Sequence, residues 1–150
     1  MPKMTLAIHE ETFCIHSLDP NKSIPEKVFA QDIYFIGKTK DEISIVTPEC
    51  LSINSQDSEP DWRCLEVIGP LGFSMTGLLS KVSGILAKEE ISILAISTFE
   101  TDYILVKSHD FKHTLSSLKK TTITLLMHKP SLIMKKTPYS QHLNNPVMNH

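Results

Sequence analysis

Gly69-Pro-Leu-Gly-Phe-Ser74, the run Met75 to Lys88, and Ile91-Ser-Ile-Leu-Ala-Ile-Ser-Thr-Phe-Glu-Thr-Asp-Tyr-Ile-Leu-Val106 decide the fold of this chain. Met75, Leu78, Leu79, Val82, Ile85 and Leu86 fall at helical spacing and form one apolar stripe, while Lys81, Ser83 and Lys88 take other faces. Ser74 stands at the N-cap position, where a hydroxyl accepts a hydrogen bond from a backbone N–H one turn in. Gly77 is unfavourable inside a helix and asks for a reason, either close approach of a ligand or tight packing on a neighbouring backbone.

Outward from this helix, Ile91 to Ile96 reads as a strand that is apolar on both faces, and Tyr103 to Val106 as a second strand across the turn Phe99-Glu-Thr-Asp102. Phe111, Leu115 and Leu118 predict a short helix started by Ser108 or Asp110, and Thr121 to Met127 has the β-branched character of a closing strand. With Trp62 to Ile68 as the opening strand, the order is βαββαβ. That is the α+β, ferredoxin-like arrangement, with two helices on one face of an antiparallel sheet.

The chemistry of this stretch is that of a binding site. A helix N-terminus offers N–H groups to an anion, and Thr98, Thr101 and Asp102 crowd the strand-to-strand turn. An amino acid presents a carboxylate and an ammonium on one carbon, so the pattern implies a small-molecule receptor more than a catalyst. Asp102 has a second reading, as a cap that accepts backbone N–H bonds in its own turn. Phe99 either covers a ligand or packs on a neighbouring unit.

These residues resemble the ACT domains, and within them the small tandem-ACT proteins related to the CASTOR arginine sensors. The resemblance rests on Gly69-Pro70-Leu71-Gly72-Phe73-Ser74, Gly77-Leu78-Leu79 and Ile91 to Val106, and extends over about residues 4 to 127, more specifically in the second half. It implies an amino acid gripped at an interface between ACT units by the loop entering the first helix and by the strand-to-strand turn. At the matching positions it implies ligand-binding roles for Gly72, Phe73, Ser74, Gly77, Leu78, Thr98, Phe99 and Asp102. Many relatives carry an acidic residue where Gly72 stands, and its absence argues against a ligand with a basic side chain such as arginine.

The first half reads as a second, trimmed unit of the same kind. Thr5 to Ile8 and Thr12 to Ile15 form one strand or two, and Ile33 to Ile36 and Ile43 to Val46 a hairpin across Gly37 to Asp41. A short helix has to fit Ser23 to Phe29, with Pro25 in its first turn, and another has room to start at Thr47-Pro48-Glu49. Ser55 to Pro60 is a polar connector, which puts the boundary near Glu59. The expected organisation is two ACT-like units in tandem, 1–59 and 60–127. From His128 the apolar periodicity fades among prolines, and 128–150 reads as a mobile tail.

Composition narrows the function further. The chain has 150 residues, 41% of them hydrophobic, which is enough for a substantial core, and its net charge of −2 argues against general nucleic-acid binding. An RNA-reading sheet needs exposed aromatics among basic residues, and the central strands carry Ile, Leu, Val and Ala instead. His9, Glu10 and Glu11 stand where a secretory signal has its apolar run, and no segment reaches the ~20 apolar residues of a membrane span. The expectation is a soluble, cytoplasmic protein.

Cys14, Cys50 and Cys64 read as reduced, buried thiols. Cys14 with His16, or His109 with His113, supplies two metal ligands each and lacks the rest of a closed site, so neither a metal nor a cofactor is expected. No nucleophile elbow, P-loop or His-Glu-x-x-His occurs, and Arg63 is the one arginine. The expected function is therefore non-catalytic: a receptor for a free amino acid, acting as a homodimer on a regulated protein partner. The alternative is a ferredoxin-like protein-interaction module without a small ligand.

Overall fold

The computed structural model describes residues 4–68, 75–121 and 123–127. Gly72, Phe73 and Ser74, the capping role of Ser74, and the tail from 128 lie outside the described residues. The strands are β1 (Thr5–Leu18), β2 (Phe35–Lys38), β3 (Ile43–Pro48), β4 (Asp57–Val67), β5 (Ile93–Ser97), β6 (Asp102–Lys107) and β7 (Thr124–Met127). The helices are α1 (Glu26–Phe29), α2 (Met75–Lys88) and α3 (Phe111–Lys119), the last entered through a 3-10 turn at Ser108–Asp110.

From β4 onward the order is the expected βαββαβ. The stripe of α2 does what its spacing requires: Leu78, Val82 and Leu86 are buried against Leu65, Val67, Ile104 and Val106 of the sheet and Leu118 of α3. In the sheet, however, β7 does not pair with β4 as a simple ferredoxin-like unit would have it. Thr5 to Ile8 of β1 lies between them, parallel to β7 from Thr5↔Thr124 to Ile8↔Met127 and antiparallel to β4 at Leu6↔Val67 and Ile8↔Leu65. Leu6, Ala7 and Ile8 are all buried, so this segment has the both-faces-apolar character of a central strand.

Beyond an irregularity between Ile8 and Thr12, β1 changes neighbours and pairs with β3 from Phe13↔Pro48 to Leu18↔Ile43. The result is a seven-stranded sheet in the order β2-β3-β1-β4-β6-β5 with β7 beside β1. The segment read as a connector belongs to this sheet, since Asp57 to Pro60 is the first part of β4. Asp61, at φ 66°, is in the left-handed region that non-glycine residues avoid, and the register of β4 slips there. Glu49 staples the kink by accepting from the Asp61 N–H at 2.8 Å and from Thr12 Oγ1 at 2.8 Å. That explains why no second helix begins at Thr47-Pro48-Glu49: Thr47 and Pro48 are committed to the β1 ladder, and Glu49 to the kink.

The sheet face away from α2 holds Phe13, Trp62, Cys64 and Leu105, all buried. On a flat sheet β2 and β6 would lie about 19 Å apart. Phe35 of β2 and Tyr103 of β6 nevertheless meet at 5.0 Å between ring centroids, so the sheet coils over this face. Beside them His9 Nε2 lies 3.0 Å from Glu66 Oε1, in a pair whose side chains are 6% and 3% exposed. Burial pushes the Cys64 thiol up to about 12, which keeps it a neutral, inert group. Cys14 is buried as expected, whereas Cys50 is exposed because it sits in the turn after β3.

Candidate functional site

Three of the expected ligand residues, Thr98, Phe99 and Asp102, meet at one place. They line an open groove of about 540 Å³ between α2 and the β5–β6 turn. Its wall on α2 is Leu79, Ser80 and Ser83, and its floor on the hairpin is completed by Ser97 and Thr101.

The turn is built by threonines. The Thr98 N–H donates to the Thr101 carbonyl at 2.9 Å, the Thr98 hydroxyl donates to the same carbonyl at 3.0 Å, and the Thr101 N–H donates back to Thr98 Oγ1 at 3.2 Å. Asp102 is therefore not the cap. It is the first residue of β6, opposite Ser97, and is 5% exposed. Among the described residues, no side-chain hydrogen bond or ion pair engages its carboxylate. A carboxylate at the edge of the groove offers its charge to a cation arriving there.

Hydroxyls make up the rest of the polar lining. Ser83 Oγ donates to the Ser80 carbonyl at 3.2 Å, and Ser80 and Ser97 are exposed. No lysine or arginine lines the groove among the described residues, so its field is that of one carboxylate. Phe99, 79% exposed, stands at the tip of the turn as an apolar wall.

Gly77 and Leu78 are placed differently. Among the described residues, a Cβ built at Gly77 meets no atom within 4 Å, and Gly77 is not in the groove lining. Leu78 is 1% exposed in the core beneath α2 and does not line the groove. The groove also takes in Leu79, Ser97 and Thr101, which belong to the motif but were given no ligand role by it, and Ser80 and Ser83, which lie outside it. Ser80 and Ser83 stand three apart beside the apolar stripe, a spacing that puts them on one helix face but does not say which hairpin they look at.

No group of three or more His, Cys, Asp or Glu residues is arranged to hold a metal among the described residues. His113 instead lies 3.1 Å from Glu89 at the end of α2, and His109 beside Asp110. No described helix is long and apolar enough to cross a membrane.

Comparison with known proteins gives a consistent picture. The pattern of the ACT domain matches residues 57–120. Cytosolic arginine sensor for mTORC1 subunit 1 of Mus musculus is 33% identical over 100 residues, which are 65% of this chain and 30% of the sensor. The chain thus spans about 30% of the length of that curated relative. A protein of Agrobacterium tumefaciens known from an X-ray crystal structure superposes with a TM-score of 0.76 at 30% identity, over 86% of this chain and 96% of its own. The ligand-free regulatory subunit of aspartate kinase from Thermus thermophilus shares the fold at a TM-score of 0.56 and 16% identity, over 77% of this chain and 95% of its own. A threonine-closed turn facing an amphipathic helix, in a βαββαβ unit that matches the ACT-domain pattern, leads to one assignment: residues 57–120 of this chain are an ACT domain.

Proposed function

We propose that this protein is a non-catalytic receptor for a free amino acid, bound in the groove between α2 and the Thr98–Asp102 turn. The observation that carries this reading is Asp102, a 5% exposed carboxylate without a side-chain partner among the described residues, at the edge of a groove lined by hydroxyls. Asp102 takes the ligand ammonium. The α-carboxylate falls to the Gly72-Phe73-Ser74 loop and the start of α2, because the Thr98 hydroxyl has given its one proton to the Thr101 carbonyl. Phe99, at the tip of the turn, covers the ligand side chain.

In the same reading, residues 1–59 form a second, trimmed ACT-like unit beside 60–127, with 128–150 as a tail. Supporting this, the β2–β3 turn is closed by the same bonds as the β5–β6 turn: the Thr39 N–H donates to the Glu42 carbonyl at 2.9 Å, and the Glu42 N–H to Thr39 Oγ1 at 3.2 Å. A ligand held between units stabilises their docked arrangement and so acts on a regulated partner through population shift. A cytoplasmic homodimer is the form we propose.

A screen of the twenty amino acids by thermal shift, confirmed by calorimetry, tests the reading. At ~100 times its dissociation constant a ligand adds about 2.7 kcal/mol, which for this size raises the melting temperature by roughly 5–10 °C. No shift and no heat with any amino acid would move the assignment to a protein-interaction module, for which the exposed Phe99 is the first contact to test. The site itself is checked with Asp102→Asn. Loss of a charge-assisted bond to the ammonium weakens binding by about ten- to a hundredfold. Apo stability stays within ~0.5 kcal/mol, because Thr98 and not Asp102 closes the turn.

A further inference from the structure

We infer that Thr101 is a positioning residue for this site: its side chain ties the β5–β6 turn to the end of β4 and so sets where Asp102 sits against α2. The inference rests on the receptor reading above. The Thr101 hydroxyl donates to the Val67 carbonyl, and both residues are buried. Val67 is the last residue of β4, on the chain's way to α2. One side chain therefore joins the element that carries Asp102 to the strand that leads into the opposite wall of the groove.

The first half of the chain supplies an internal control. Thr39 and Glu42 close the β2–β3 turn as Thr98 and Thr101 close the β5–β6 turn, so turn closure does not need a hydroxyl at the fourth position. Glu42 is exposed, and its carboxylate accepts from Ser44 in its own strand at 2.9 Å. At the place matching Asp102 that hairpin has Ile43, buried in a hydrophobic cluster. The cross-strand tie thus accompanies the carboxylate-bearing turn and is missing from the turn whose matching position is apolar. The Thr101 hydroxyl holds the turn in place rather than closing it.

Thr101→Val keeps shape and β-branching but removes the hydroxyl, and Thr101→Ser keeps the hydroxyl. In the apo protein, Thr101→Val should speed amide hydrogen exchange at Thr98 and Thr101 by about tenfold, and Thr101→Ser should leave it near wild type. Calorimetry with the amino acid found in the screen should give about tenfold weaker binding for Thr101→Val and recovery for Thr101→Ser. Ile45→Val, in the core of the first half, should lower the melting temperature and leave affinity unchanged, which separates positioning from general loss of stability. If Thr101→Val does not fold, Thr101→Ala makes the same comparison. Unchanged exchange in the variant lacking the hydroxyl overturns the proposal, as does faster exchange with wild-type affinity. A wild-type protein that binds none of the twenty amino acids overturns the receptor reading and the binding role together, while the exchange measurement still decides whether Thr101 holds the turn.

Discussion

His9→Ala lowers stability by about 1–3 kcal/mol, because it removes a buried hydrogen bond to the Glu66 carboxylate together with the ring contacts of His9. The pair sits where β1 ends its ladder with β7, and the ring of His9 lies edge-on to Phe13 at 6.3 Å between centroids and tilted to Tyr103 at 6.4 Å. Glu66 is 2% exposed, so the bond is made in a site shielded from water, where it is stronger than at the surface. Urea unfolding measures the loss, and a second arm tells pair from packing. His9→Leu combined with Glu66→Met removes both polar groups and should recover most of the stability, since replacing both partners of a buried hydrogen bond by apolar groups is often nearly neutral. A single variant within ~0.5 kcal/mol of wild type would show that the His9–Glu66 bond adds nothing to stability.

Leu78→Ala is expected to cost about 2–5 kcal/mol, with a fall in melting temperature on the order of 10 °C. Leu78 is 1% exposed between α2 and the sheet, in the cluster with Leu65, Val82 and Ile104. Truncation leaves a cavity that the packed helix closes only in part. If Leu78 instead formed the ligand pocket, the substitution would weaken binding with little effect on the apo protein. Denaturation of the apo form alone therefore decides between the two, and a loss below ~1 kcal/mol would return Leu78 to the site.

The two expected effects mark the difference between what spacing carries and what it does not. Leu78 belongs both to the helical stripe and to the family motif at the helix start, and the motif gave it a ligand role. Its depth followed from where α2 lies on the sheet. Asp102 was ambiguous for a similar reason: an Asp after a turn caps as readily as it binds. Thr98 removes the capping reading, since its hydroxyl and N–H close the turn, and the binding role of Asp102 is the proposal that Asp102→Asn tests.

By itself the sequence determined the βαββαβ order from β4 to β7, the buried stripe of α2, and the clustering of Thr98, Phe99 and Asp102, because these depend on local periodicity and turn chemistry. Tertiary structure alone decided that Thr5 to Ile8 enters the sheet between β4 and β7, that β2 curls over to meet β6, and that His9 pairs with Glu66. It also brought Ser80 and Ser83 of α2 opposite Thr101 and Asp102. Each of these is a contact between segments far apart in the chain. The unbroken apolar run Leu6 to Ile8 requires a strand with two covered faces but does not name its neighbours, which only the competition of all the strands for one sheet settles.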